Sequence, residues 1–540
     1  MSSQQAGPHE LDAVIIGAGF SGLYALYRLR DILGLDVRIC ESADGVGGTW
    51  YWNRYPGSRC DSESYYYSYS FSEELEQEWE WTSKYPEQPE ILRYLNHVAD
   101  RFDMRRDISF STRITEAVFD EASNRWQIRT DGGEQISAQF LISAVGCLSA
   151  TNLPDFEGLD QFEGEWYHTG EWPHEPVDFA GKRVGLIGTG STGIQVTPVV
   201  AEQADHLTVF QRTPNYSLPA RNALLTPEGQ AEVKANYREL RRLTRESRGG
   251  FPYSPTEKSA QDFSPEEQQA LLEELWQIGG FRFLWGSFND LLTNEETNEL
   301  VAEFFRKKIR EVVNDPVIAE SLTPTDHPYG TKRPPIDTGY YEAYNRDNVS
   351  LVDVGNSPIV AITPHGLRTA DAEYEFDIII FATGFDAMTG ALLKIDIRGT
   401  GGQSLAEKWE GGPLAYLGLQ VAGFPNMFTV TGPGSPSVLT NMPVAIEQHV
   451  DWISDCIEYM RAGGLTRIEA KPDAEDAWVD HVNAAADMTL FVKANSWYVG
   501  ANIPGKKRVF MPYVAGMIDY KTRCDEVASK GYDGFELRSA

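Results

Sequence analysis

The chain has 540 residues, 41% hydrophobic and 12% aromatic, too long for one core and too apolar to be disordered. A formal charge of −32, from 79 acidic against 47 basic residues, argues against nucleic acid or an anionic membrane surface as a main partner. Five cysteines stand far apart with no CxxC or zinc spacing, and nine histidines form no HExxH or HxH pattern, so neither a disulfide framework nor a metal site is expected.

The apolar run from Ala13 to Leu29 imitates a secretory signal, but Gly17, Gly19 and Gly22 interrupt it and Asp12 precedes it. No apolar stretch reaches the ~20 residues that span a bilayer. The expectation is a cytoplasmic protein with reduced, buried thiols. The sequence leaves its oligomeric state open, and a monomer fits it.

In chain order, DAVIIGAGFSGLYALYRL reads as strand, glycine turn and helix. Val14 to Ile16 form the strand. Gly17 allows the tight turn, Gly19 lets the backbone approach a pyrophosphate, and Gly22 lets helix and strand pack closely. Phe20 and Ser21 open the helix, whose end presents N–H groups to the phosphates. The next strand, VRICE, ends at Glu41, at about the 20-residue remove where a carboxylate receives a ribose diol.

GVGGTWYWNRYPGSRCD follows. Gly47-Gly48 again permits close approach, beside Thr49. Trp50, Tyr51, Trp52 and Tyr55 give flat apolar surface for a ring system, or equally a Gly-rich loop with core aromatics. Arg54 and Asp61 are charges in an otherwise apolar, aromatic stretch. Glu87 to Phe102 has helical period. Ile108 to Phe119 and Trp126 to Thr130 read as strands, and Phe140 to Gly146 as a buried strand closing the first lobe.

The connector FEGEWYHTGEWP, Phe162 to Pro173, comes next. KRVGLIGTGSTGIQVTPVVAEQ then repeats strand, GxGxxG and helix, with Gly188, Thr189, Gly190, Ser191, Thr192 and Gly193 in the turn. Its second strand, LTVFQRTP, carries Gln211, Arg212 and Thr213 where the first unit has Glu41. A carboxylate repels a 2′-phosphate, whereas a guanidinium grips one bidentately. The first site therefore suits FAD and the second NADPH. A surface Arg at a strand end is the plainer alternative for Arg212.

Between Thr226 and Thr323, three charged stretches with helical period read as an inserted helical subdomain with no chemistry of its own. Val349 to Val352 returns to the nucleotide fold. EFDIIIFATGF is a buried strand running into Ala382-Thr383-Gly384, a return crossing to the first body. GPGSPSVLTNM is a loop before a helix at about Pro443 to Arg461. NSWYVGANIPGKKRVFMPYV reads as an ordered loop able to move, a common place for substrate residues.

The fold class is α/β: two Rossmann-like dinucleotide-binding domains, one for FAD and one for NADP, with an inserted helical subdomain. The expected division is 1–148 for the first part of the FAD domain and 149–224 for the connector and first part of the NADP domain. The helical insert is 225–330, the second part of the NADP domain 331–380, and the return to the FAD domain, with substrate and mobile loops, 381–540.

These residues together resemble the flavin-dependent Baeyer-Villiger monooxygenases. Phe162, Gly164, His168, Trp172 and Pro173 match the family fingerprint F-x-G-x-x-x-H-x-x-x-W-P at every fixed place, and both glycine motifs match its flanking nucleotide motifs. The resemblance covers nearly the whole chain. YWNRYPGSRCD, TKRPP, MTGALLKIDIRG and GPGSPSVLTNM look like the phenylacetone and steroid monooxygenase branch.

The resemblance implies that NADPH reduces FAD, that O2 forms a C4a-peroxyflavin, and that this converts a ketone to an ester or lactone. It implies Arg333 of TKRPP as the active-site arginine and Asp61 as the carboxylate that positions it. Lys332, Arg212 and Thr213 match contacts to the NADPH adenosine phosphate, and Trp497 a mobile-loop residue at the nicotinamide ribose. Glu41, Gly48, Trp50, Tyr67, Ile114 and Met442 match flavin-lining positions. Val438, Leu439 and Met442 fall on the expected ketone wall. His168 is implied as the connector residue that couples domain movement. Pro334-Pro335 departs from the nearest branches, where apolar residues follow the arginine, and stiffens this stretch.

Two other readings compete. One is a flavin monooxygenase acting mainly on sulfides or amines, against which Arg333 and the Trp172 form of the fingerprint weigh. The other is a non-catalytic NADPH-binding sensor, against which the intact set Asp61, Arg333 and Arg212 weighs.

Overall fold

The computed structural model describes residues 9–539. Two sheets organise the molecule. The first has eight strands. Its parallel heart pairs His9–Ile16 with Val37–Cys40 on one side and Gln135–Ser143 on the other. Ala13, Val14 and Ile15 are fully buried there, as expected of a parallel strand covered on both faces. Met427–Thr429 adds a parallel strand to Gln135–Ser143, so the C-terminal part of the chain completes the body that the N-terminus began.

The stretch expected as one strand from Ile108 to Phe119 is two. Ile108–Ser109 pairs in parallel with Val37–Cys40, whereas Ile114–Asp120 starts an antiparallel meander with Arg125–Thr130. The intervening backbone turns inward, with the Thr112 N–H donating to Glu41 O at 2.8 Å. The strand expected from Phe140 begins earlier, at Gln135, and ends at Ser143.

The second sheet has five strands, all parallel, in the spatial order Val349–Asp353, His206–Gln211, Arg183–Ile187, Ile378–Phe381, Glu165–His168. Two connectors join the sheets and run antiparallel to each other. Asn152 N donates to Gly384 O at 3.0 Å, Asp386 N to Ala150 O at 2.8 Å, and Met388 N to Cys147 O at 2.8 Å.

The helices Pro227–Arg245, Pro265–Ile278 and Glu295–Val312 leave the second sheet and return to it. Ser264 and Glu267 form a reciprocal capping box that fixes the start of the second of them. The first is anchored on the N-terminal body through Arg241. Its Nε donates to Glu76 at 2.6 Å, and its Nη2 donates to Ser68 Oγ at 2.8 Å and Tyr69 O at 3.0 Å. Both charged partners are buried, so removing either leaves an uncompensated charge, at about 3–5 kcal/mol. All five cysteines are buried free thiols.

Candidate active site

The two glycine turns are built alike. Gly17 has φ +101° and Gly188 φ +113°, a backbone open to glycine. A β-carbon on either would press on a carbonyl oxygen, 2.8 Å from Ala144 O and 2.5 Å from Ala382 O. Each turn feeds a helix, with Leu23 N closing on Gly19 O and Ile194 N on Gly190 O, both at 3.0 Å. Helical geometry leaves the N–H groups just inside each start without intrahelical partners, at Phe20, Ser21 and Gly22 and at Ser191, Thr192 and Gly193.

Their surroundings differ. At the first turn Gly19 faces Gly48, and a β-carbon on Gly48 would lie 2.9 Å from Gly19 Cα. Glu41 is buried, its Oε2 accepting from Ala18 N at 2.6 Å and its Oε1 from Ala43 N at 2.7 Å. Thr49 and Trp50 begin the short helix after Gly48, and Trp50 Nε1 donates to Tyr67 OH at 3.2 Å. Ile114 is buried at the head of its strand. Met442 opens the helix Met442–Ala462 and packs against both the core of this body and the core of the insert. A two-glycine slot, a seated acid and an aromatic wall fit the pyrophosphate, ribose and ring of FAD.

At the second turn, nothing lies within 4 Å of a β-carbon on Gly190, which is the open space a pyrophosphate needs. Thr189 Oγ1 donates to Thr213 O at 3.1 Å, tying the turn to the end of the next strand. Arg212, one residue earlier, is exposed and makes no ion pair among the described residues. Lys332 is instead paired with Asp326 at 3.0 Å, and Asp326 also holds His327 Nδ1 at 2.6 Å. Burial works against the Asp326 charge, but those two partners outweigh it and pull its pKa down to about 2. The open turn with a free guanidinium fits NADP.

Between the turns lies the pair Asp61–Arg333. Arg333 Nε and Nη2 both donate to Asp61 Oδ2, at 3.0 and 2.9 Å, and Nη1 donates to Val438 O at 2.8 Å. The guanidinium carbon sits 4.6 Å from the centre of the Phe281 ring. Burial opposes the Arg333 charge, but Asp61 more than offsets it and holds the pKa above the ordinary arginine value. Of five guanidinium N–H groups, these bonds commit three, so two remain to meet a ligand. Pro334 and Pro335 are buried behind the arginine, where Pro335 O accepts from Leu218 N at 2.8 Å.

Val438 and Leu439 are buried in the turn Ser437–Leu439. Trp497 begins the 3-10 turn Trp497–Val499, its ring centre 4.4 Å from that of Tyr498. Tyr498 is buried, and burial pushes its phenol pKa up while nearby Arg333 opposes the shift.

His168 stands apart from this pair. It is buried at the end of its strand, in register with Phe381. Its Nδ1 accepts from Gly170 N at 3.1 Å and its Nε2 meets Thr383 Oγ1 at 3.3 Å. Thr383 gives its own proton to Asn152 O at 2.6 Å, so Nε2 is the donor and the ring is neutral. Burial lowers its pKa further. The imidazole thus reaches Thr383, which in turn bonds Asn152 of the other connector.

Sequence reasoning missed Phe281 and Asp326. It read the insert as free of chemistry, yet Phe281 comes from it and faces Arg333. A phenylalanine in GGFRF carries no signal of its partner, because the contact is set by tertiary packing.

The Flavin-binding monooxygenase-like family matches residues 12–221. The chain is 47% identical to a Baeyer-Villiger monooxygenase of Pseudooceanicola batsensis, over 97% of this chain and 95% of that one. It superposes on an oxidized steroid monooxygenase bound to NADP with a TM-score of 0.94 at 54% identity, covering 98% of this chain and 100% of that one. Against the OTEMO complex with FAD and NADP the TM-score is 0.95 at 44% identity, covering 98% and 99%. With such relatives matched along nearly its whole length, the chain belongs to the Baeyer-Villiger monooxygenases.

Proposed function

We propose that this enzyme converts a ketone, O2, NADPH and a proton to an ester or lactone, water and NADP, with the Asp61–Arg333 pair as its reaction centre. Gly17, Gly19, Phe20, Ser21, Gly22, Glu41, Gly48, Thr49, Trp50, Tyr67, Ile114 and Met442 would hold FAD. Gly188 to Gly193, Arg212, Thr213, Lys332 and Trp497 would hold NADPH. FAD bound there would supply the redox chemistry that links NADPH oxidation to O2, the source of the inserted oxygen.

The chain's own contribution is a fixed, partly buried cation. Asp61 and the Phe281 face keep Arg333 charged and oriented, and its two spare N–H groups stabilise negative charge as it develops on oxygen. Val438 and Leu439 give the ketone apolar surface, and Val438 O ties that wall to the arginine. His168 acts on domain movement, not on the proton balance of the ketone.

The observation that carries this reading is the bond of both Nε and Nη2 to Asp61, made across the chain from a residue that also grips the wall. The test is NADPH oxidation with and without a panel of linear, cyclic, aryl and steroid ketones, with products identified by mass. Ketone-dependent NADPH use with an oxygen-inserted product is expected. NADPH use indifferent to every ketone, with hydrogen peroxide as the only oxygen product, would contradict it.

A further inference from the structure

A run of side chains ties the proposed cosubstrate site to the backbone of Arg333. Lys332 Nζ donates to Asp326 Oδ2 at 3.0 Å, and Asp326 Oδ1 lies 2.6 Å from His327 Nδ1. The other ring nitrogen, Nε2, lies 3.3 Å from Asn215 Oδ1, and Asn215 Nδ2 donates to Arg333 O at 3.0 Å. The run thus leaves Lys332 and returns to the very next residue, through a segment that also carries Arg212 and Thr213. The His327 side chain is 0% exposed, whereas that of Asp326 is 47% exposed.

The chemistry of these atoms gives the ring's proton a consequence. A backbone carbonyl only accepts, so the amide nitrogen of Asn215 faces Arg333 O and its oxygen faces Nε2. Nε2 then has to donate. Nδ1 faces a carboxylate and has to donate as well, so only the imidazolium satisfies every contact. A neutral ring keeps its one proton on Nδ1, against the carboxylate. Its bare Nε2 repels Asn215 Oδ1 and competes with Arg333 O for the amide N–H groups.

The surroundings are balanced around that proton. Burial disfavours the cation, Asp326 favours it, and Lys332 and Arg306 oppose it, with the His327 pKa lowered as the result. Arg306 approaches from the helix Glu295–Val312, where Glu299 pairs with it and its Nη2 donates to Tyr216 OH at 3.3 Å. The Tyr216 ring stands edge to face with the imidazole, 5.3 Å between centres. Of these groups, Lys332 is the one assigned above to the phosphate of NADPH. A phosphate that draws Lys332 off Asp326 takes a cation from the ring's side, leaves the carboxylate to the ring and adds negative charge. Each change favours the imidazolium.

We propose that His327 is a positioning residue: it takes up a proton from solvent as the NADPH phosphate engages Lys332, and the charged ring then holds the Asn215 amide on the carbonyl of Arg333. This rests on the NADPH site proposed above and adds to it a link between cosubstrate and reaction centre. Binding linkage is reciprocal, so protonating His327 also strengthens NADPH binding. NADH has no 2′-phosphate and leaves Lys332 on Asp326.

The test counts protons. Oxidised NADP is titrated calorimetrically into the oxidised holoenzyme in buffers of different ionisation enthalpy, across a pH series spanning the ordinary histidine range. His327→Gln, which cannot be protonated, is the reference, because the phosphate's own ionisation is common to both proteins. Wild type is expected to take up about 0.3 proton or more beyond His327→Gln at some pH in the series, as a ring pKa raised by about one unit requires. Equal counts at every pH overturn the proposal. If His327→Gln does not fold or does not bind NADP, nitrogen spectra of wild type labelled with 15N-histidine decide. A ring that becomes protonated on both nitrogens when NADP is added, and not when NAD is added, supports the proposal; no such ring overturns it. The tie to Arg333 has its own readout, the ester formed per NADPH as a function of pH. That yield is expected to fall in wild type as the pH rises through the His327 titration, and to lose this inflection in His327→Gln. A profile unchanged in shape by the substitution overturns the tie. If wild type binds NADP no more tightly than NAD, the phosphate site itself fails and the proposal with it.

Discussion

The two glycine cradles share a fingerprint and a backbone, yet one is closed and the other open. Around Gly19 the structure is finished: Gly48 faces it, Glu41 is seated on two backbone amides, and aromatics wall the space. Around Gly190 the space is empty, Arg212 reaches into solvent, and Lys332 is engaged elsewhere. The turn sets where a pyrophosphate goes; the surroundings set how permanently. A closed cradle suits a cofactor that stays, and an open one a cosubstrate that comes and goes.

The strongest way to break this contrast is to add one methyl group to each cradle. Gly48→Ala forces a β-carbon against Gly19 at φ +54° and ψ −119°, a sparsely populated backbone conformation for any residue but glycine, unfavourable by about 1–3 kcal/mol before any clash. It should purify largely without flavin, read from the ratio of flavin to protein absorbance. Gly190→Ala meets nothing in the protein, so it should keep flavin and fold while raising the KM for NADPH. Equal flavin loss in both would erase the distinction.

Next in size is Arg212→Ala. Losing a charge-assisted contact to phosphate removes about 1.5–3 kcal/mol. NADPH should weaken roughly ten- to a hundredfold and NADH little, measured by steady-state KM for each. Equal weakening of the two would remove Arg212 from the phosphate.

The junction between the cradles gives a smaller effect. His168→Ala loses two buried hydrogen bonds, each contributing about 1 kcal/mol. Both cofactors should bind, while turnover drops on the order of tenfold because coupled domain movement is impaired. The pH dependence has a definite sign. His168 has a lowered folded pKa, so on acidification the unfolded chain takes up a proton that the native ring resists. Its contribution to stability falls as pH drops below roughly 6.5. A pH series of Tm should show a shallower acid limb in His168→Gln.

The smallest effect concerns Lys332. Asp326→Asn frees the ammonium from its ion pair, and a pair with one partner in solvent is worth about 1 kcal/mol. NADPH should bind slightly tighter, by less than about fivefold. Weaker binding would mean that Asp326 presents Lys332 to the cosubstrate.

The sequence makes the cradles readable because their demands are local. A positive φ at Gly17 or a missing side chain at Gly19 leaves a mark within a few residues, and helices such as Gln88–Arg101 keep an unbroken period. The break between Ser109 and Ile114 is not readable, because it comes from Glu41 O receiving Thr112 N across the sheet. The proposed reaction centre joins Asp61 to Arg333 over 272 positions, and only family resemblance brings them together in advance. Phe281 and Asp326 carry no motif at all. Their significance lies in whom they face or fail to face.

The most direct test of the account is how Arg333→Ala divides the electrons of NADPH between ester and hydrogen peroxide, with a ketone present. Losing one preorganised donor removes about 3–4 kcal/mol of transition-state stabilisation, while both cradles keep their residues. The variant should retain flavin and consume NADPH, release nearly all the oxygen as peroxide, and form almost no ester. Arg333→Lys, with its charge but no planar fork, should recover little. A near-normal ester yield in Arg333→Ala would contradict the account.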